Sequence, residues 1–184
     1  MGDIVLKKFK MENGESLIVR TALPEDADQV LLFTQTIMNE APYLVTASHE
    51  LKISSEQQLH FLKQLYEHNG KIALLAEYEN EMIGFLDFHN GNRERIQHQG
   101  SFGMSVKKEF RHQGVGKALL NTLLEWADNN PLIEKLCLEV FDTNVAAIAL
   151  YRNLGFTEEG VKKRAIKTSN GSYHDLILMA LFLD

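Results

Sequence analysis

Val106-Lys107-Lys108-Glu109-Phe110-Arg111-His112-Gln113-Gly114-Val115-Gly116-Lys117 governs how the rest of this chain is interpreted. A strand-like run ends at Val106, a short polar loop follows, and Gly114 and Gly116 stand where an amphipathic helix begins. The first amides of a helix have no intrahelical partner and lie at the positive end of its dipole, so they converge on an anion. Glycines leave room for a bulky anion to approach the backbone, and Arg111 and Lys117 add charge. The pattern fits a diphosphate. It is not a nucleotide-binding P-loop, because Ala118 rather than Ser or Thr follows Lys117. Nor is it the dinucleotide fingerprint, since the third glycine is missing and no β-α-β unit opens with it. The plainer alternative is a helix start with two packing glycines.

Downstream, the helix runs from Gly114 to Asn129, with Gly116, Leu119, Leu120, Leu123 and Ala127 on one face, and stops at Asn130-Pro131. A strand over Lys135–Val140, a helix over Asn144–Leu154 and a hairpin with arms Glu158–Lys167 and Tyr173–Phe182 complete the chain. Upstream, a strand over about 97–106 is preceded by the hairpin Lys71–Tyr78 and Glu81–His89. Before these come a strand over Ser16–Ala22 and a helix opened by Pro24, whose face carries Ala27, Val30, Leu31, Thr34 and Met38. A loop over 41–53 leads to a helix capped by Ser54 and Gln57, with a stripe of Leu59, Leu62, Leu65 and Tyr66. The order β-α-α-β-β-β-α-β-α-β-β describes an α/β fold with a mixed sheet and helices on both faces. Residues 1–15 form an N-terminal arm and residues 16–184 a single domain.

Composition agrees. With 184 residues, 45% hydrophobic and 24% charged, the chain supports one core and leaves no room for a disordered reading. The lone Cys137 excludes a disulfide framework and a Cys-rich zinc site, and no His, Asp or Glu set has metal-ligand spacing, so no metal is expected. A net charge of −6 with scattered basic residues argues against a nucleic-acid partner. The absence of a long apolar run argues against a membrane span and for a cytoplasmic protein, monomeric or homodimeric.

Val106-x3-Phe110-Arg111-His112-Gln113-Gly114-Val115-Gly116, followed by Ala118-Leu119-Leu120, resembles the acetyl-CoA signature of the GNAT N-acetyltransferase superfamily. Leu138-Glu139-Val140 to Asn144-x2-Ala147-x2-Leu150-Tyr151-x3-Gly155-Phe156 resembles that superfamily's next motif, in the right order and spacing. The resemblance implies a sheet splayed after the fourth predicted strand, which bends at a β-bulge and hydrogen-bonds the pantetheine arm through Met104, Ser105 and Val106. It also implies diphosphate on the amides from Arg111 through His112, Gln113, Gly114, Val115 and Gly116 to Lys117. Asn144 and Ala147 would flank pantetheine, and Tyr151 would protonate the departing thiolate.

The fourth helix supports this independently, because Asn144, Ala147, Ile148 and Tyr151 share one face. A buried tyrosine filling a helix–sheet gap is the alternative for Tyr151. The general base is open between two residues. Glu139 sits in a Leu-Glu-Val block like that of bacterial ribosomal-protein N-terminal acetyltransferases, and His98 could act through a water from the strand face it shares with Gly100, where some family members carry Glu or His. Cys137 is read as a small buried hydrophobe, so transfer is expected to be direct.

The implied activity is acetyl transfer from acetyl-CoA to a primary amine: a small amine, an amino acid or a protein N-terminus. A non-catalytic acyl-CoA-binding or sensor domain on the same fold is the alternative. Tyr43, Arg93, Arg95, Arg164, Tyr173, His174 and Asp175 are expected to wall the acceptor site.

Overall fold

The computed structural model describes residues 5–40, 43 and 52–183. The loop read over 41–53 falls mostly outside them. Eight strands and four helices succeed one another: β1 (Leu6–Lys10), β2 (Ser16–Thr21), α1 (Ala27–Glu40), α2 (Ser55–Glu67), β3 (Lys71–Tyr78), β4 (Glu81–Asn90), β5 (Gln99–Val106), α3 (Val115–Asp128), β6 (Lys135–Phe141), α4 (Val145–Asn153), β7 (Thr157–Lys167) and β8 (Tyr173–Phe182). They build one sheet in the order β1-β2-β3-β4-β5-β6-β8-β7, in which only β5 and β6 run parallel. The first strand lies within the segment read as an arm. Three lysines blur its alternation, yet Lys7 and Phe9 are half-buried and all five residues pair with β2, giving a Lys-rich sheet edge.

Two cores flank the sheet. One face packs under α3 and α4, with Leu119, Leu120, Leu123, Leu86, Phe88, Leu136 and Leu138 at its centre. The other packs under α1 and α2 through Val30, Phe33, Ile37, Leu62, Leu65, Ala73 and Leu75. The inward stripe of α1 is rotated from the expected one: Phe33 and Ile37 are buried, while Thr34 and Met38 are only half-buried. In α2, Gln58 is buried and Leu59 is 45% exposed, although the Ser54–Gln57 capping box forms as read. Arg20 on β2 fixes the start of α1, reaching Asp26 at 2.7 and 2.8 Å and Glu77 on β3 at 2.9 and 3.1 Å. Burial pushes the Asp26 carboxyl up, but hydrogen bonds from Arg20 and the Leu23 amide hold it below its ordinary value.

The sheet opens in its middle. Parallel pairing of β5 with β6 covers only Gln99↔Lys135, Gly100↔Leu136 and Ser101↔Cys137. Beyond that point β5 stays paired with β4 and β6 with β8, so each follows its own twisted neighbour and the two part. Phe102 and Tyr151, edge to face at 5.9 Å, pack beside the gap. The expected bulge is absent from the β4–β5 pairing, whose register is unbroken from Gly84↔Val106 to Asn90↔Gly100. Register shifts lie instead between β3 and β4, at Ala76/Glu77, and between β7 and β8, at Glu158/Gly160 and Lys162/Ile166.

Candidate active site

The glycine loop adopts the conformation its residues suggest. After a single 3-10 turn at Lys108–Phe110, His112 (φ 59°) and Gly114 (φ 86°) are both left-handed, which turns successive amides toward one point. Gly114 caps α3 with no side-chain acceptor, so no side chain caps the first-turn amides. A Cβ at Gly114 would meet nothing within 4 Å: the space beside the turn is open, as a phosphate cradle requires. Gly116 is tighter, because a Cβ there would come within 3.3 Å of Met104 Cε. Arg111 is turned back, its Nε donating to Val106 O at 3.0 Å, and Gln113 donates to Glu109 O at 2.8 Å. These two side chains therefore shape the loop, while Lys117 stays exposed at the helix start.

Where β5 and β6 part, a cavity of about 350 Å³ is lined by Met104, Ser105, Glu139, Asn144 and Tyr151, together with Tyr43, Phe85, Asp87, Phe102, Gly103, Leu138, Val140, Phe141 and Leu176. Tyr151 is 7% exposed and wedged between Phe102 and Phe156, and no hydrogen bond from the described residues reaches its hydroxyl. Burial pushes its phenol up to about 12, so it keeps its proton at neutral pH and can donate it. Asn144 caps α4, its Oδ1 accepting the Ala147 amide at 3.3 Å, which leaves its amide nitrogen as a donor. Glu139 is exposed and ion-paired with Lys162 of β7.

His98 does not join this set. It lies in the turn before β5, its carbonyl accepting the Glu134 and Lys135 amides, at the end of β5 remote from the parting strands. Gly100 cannot carry a base in its stead, because a Cβ would fall 2.3 Å from His89 O. Cys137 sits where the strands are still paired, and burial pushes its thiol up, away from the reactive thiolate.

Of the residues expected to wall the acceptor site, Tyr43 lines the cavity and packs edge-on against Phe141 at 5.8 Å. The hairpin residues are occupied with one another: Arg164 lies over the Tyr173 ring at 4.3 Å and Asp175 accepts from Lys163 and the Arg164 amide. Asp87 and Phe85, which sequence reasoning passed over, line the cavity from β4. Their only signal is the alternation Phe85-x-Asp87-x-His89 on one face of that strand.

A parallel pair of strands parting beside a glycine-capped helix, with a buried tyrosine lining the gap, fits the site of an acyltransferase. The chain belongs to the acetyltransferase (GNAT) family, whose sequence model matches residues 36–156. It is 33% identical over 119 residues to the L-amino acid N-acetyltransferase AaaT of Escherichia coli, covering 64% of this chain and 72% of that one. Over 80 residues it is 39% identical to the E. coli [ribosomal protein bS18]-alanine N-acetyltransferase, 44% of this chain and 53% of the relative. A GNAT acetyltransferase from Streptococcus pneumoniae superposes with a TM-score of 0.88 at 28% identity, over 91% of this chain and 99% of that one. The fold also matches yncA of Salmonella typhimurium, solved with acetyl-CoA, with a TM-score of 0.80 at 18% identity over 91% and 94% of the two chains. Among the described residues no helix is long and apolar enough to cross a membrane.

Proposed function

We propose that this protein moves the acetyl group of acetyl-CoA directly to the primary amine of a small acceptor, amino acids included, in the cytoplasm. The observation that carries the reading is the convergence of Tyr151, Asn144, Met104, Ser105 and Glu139 on one cavity between parting strands. Beyond Ser101 and Cys137 the facing edges of β5 and β6 have no strand partner among the described residues, so Met104 to Val106 can bond the pantetheine amides as an added strand would. The amides of residues 111–117 receive the diphosphate. A β5 amide faces the carbonyl oxygen and stabilises the negative charge that develops when the amine attacks. Glu139 takes the proton the amine gives up, and Tyr151 gives its own to the departing sulfur as the C–S bond breaks. The longer similarity to AaaT than to the ribosomal enzyme favours a free small acceptor over a protein N-terminus.

The test is a thiol-release assay with acetyl-CoA against amines, amino acids and N-terminal peptides. Release with a small amine or amino acid is expected. Acetyl-CoA that raises the melting temperature yet is turned over with no acceptor would instead identify an acyl-CoA-binding domain.

A further inference from the structure

A second cavity, of about 550 Å³, lies between α1, α2 and β4. Val30, Phe33, Ile37, Met38, Phe61 and Phe85 make most of its wall apolar, while Lys52, Thr34, Gln57 and Gln58 add polar groups. It shares Phe85, Asp87 and Ser105 with the cavity at the parting strands, so Asp87 stands where the two meet. This is the face opposite α3 and α4, and beside Phe85, Asp87 and His89 the strand β5 offers it Ser105, Gly103 and Ser101.

The Asp87 carboxylate is held at one end and unclaimed at the other. Its Oδ2 meets His89 Nε2 at 2.7 Å, and the His89 ring leans on Phe61 at 5.6 Å between centroids. No hydrogen bond from the described residues reaches Oδ1, which hangs over Gly103: among the described residues, a Cβ built there would touch only that oxygen, at 3.7 Å. A half-buried carboxylate oxygen with no donor among the described residues, next to the strand proposed to position the thioester, suits a cation. Glu139, by contrast, is already paired with Lys162.

We infer that Asp87, oriented by His89, receives the acceptor's ammonium over Gly103, and that the cavity between α1 and α2 takes an apolar body attached to that amine. The acceptor class is then a primary amine with a hydrophobic side chain or ring. This rests on the acetyltransferase reading above and adds the acceptor's chemistry to it. Asp87 binds and aligns the amine, and His89 is a positioning residue.

The probes are 2-phenylethylamine, hexylamine and ethanolamine with acetyl-CoA. The two apolar amines should exceed ethanolamine in kcat/KM by about 10-fold or more, since several methylenes move from water into the cavity. Asp87→Asn should raise the KM for 2-phenylethylamine by about 10-fold or more while acetyl-CoA affinity holds, in line with a lost charge-assisted hydrogen bond. His89→Gln, which can still donate to Asp87, should lose less than His89→Leu. Gly103→Ala gives an independent readout, because its methyl makes only an ordinary contact and the protein should fold. It should raise the amine KM and leave acetyl-CoA affinity unchanged. Preference for ethanolamine, or unchanged amine KM in both Asp87→Asn and Gly103→Ala, would overturn the inference with the acetyltransferase reading intact. Failure of every amine to release thiol would count against both.

Discussion

Replacing Tyr151 by Phe isolates a single hydroxyl. The ring keeps its edge-to-face contacts with Phe102 and Phe156, each at 5.9 Å between centroids, and the lost hydroxyl strands no partner among the described residues. Stability should change by less than about 1 kcal/mol. The kinetic loss can be bounded from the pKa. Burial holds the phenol at about 12, whereas a free thiol ionises near 8.5, so complete proton transfer to the leaving sulfur runs uphill by roughly 3.5 units. The hydroxyl therefore gives up its proton late, sharing it with the developing thiolate in the transition state and regaining one from solvent after the thiol departs. Its contribution falls near the lower end of general-acid catalysis, about 100-fold in kcat, or about 2.7 kcal/mol. Steady-state thiol release with any turned-over amine gives kcat, and calorimetric titration gives the acetyl-CoA affinity, which should hold within about 2-fold. The wild-type rate should show no alkaline fall from this group until pH approaches 12, rather than near the ordinary tyrosine value of about 10. A Tyr151→Phe enzyme with kcat within about 3-fold of wild type would refute the reasoning.

Three further substitutions probe the frame around the site. Gly114→Ala costs about 1–2 kcal/mol for its left-handed φ of 86° and meets no neighbour, so the protein should fold, while acetyl-CoA affinity measured by calorimetry falls about 10-fold or more; unchanged affinity would dismiss the cradle. Gly100→Ala forces a methyl to within 2.3 Å of His89 O and 2.5 Å of Phe88 Cζ, and urea unfolding should register a loss of about 2 kcal/mol or more. Asp26→Asn removes one partner of Arg20 in a cluster whose side chains are 12–22% exposed, costing about 1–3 kcal/mol, between exposed and buried pairs. Because the folded Asp26 carboxyl lies below its unfolded value of about 3.9, its stabilisation is full above that value and lost as pH falls through the folded one. The gap between wild type and Asp26→Asn in melts should therefore be constant near neutrality and close below about pH 4.

The parts of the fold that were readable in sequence are those set by local chemistry. The arms of the last hairpin lie within a residue of their expected limits, the Ser54–Gln57 box opens α2, and Asn144 begins α4 as its cap. What escaped depends on partners. Residues 6–10 become a strand only because β2 offers an edge, since Leu6-Lys7-Lys8-Phe9-Lys10 is too charged to declare itself. In α1 the candidate stripes share Ala27 and Val30 and diverge at Phe33 versus Thr34, and spacing alone does not rank them. The structure does: Phe33 and Ile37 face the sheet, and Thr34 and Met38 are left to line the acceptor-side cavity.

The same contrast divides the active site. The proposed acetyl-CoA side is made largely by backbone over short spans: the amides around Gly114, the β5 edge facing β6, and a tyrosine seven residues after the asparagine that caps its helix. Backbone geometry of that kind needs glycines and caps at fixed offsets, so it leaves a motif. The proposed acceptor side is assembled from side chains on α1, α2, β4 and β5, brought together only by sheet register and helix packing. Asp87 becomes informative once the register sets it opposite Gly103, where no side chain covers its oxygen. A different residue at either position would change which amine is received without disturbing one amide of the phosphate cradle. The two halves of the site can therefore vary separately, and a shared acetyl-CoA motif carries no information about the acceptor.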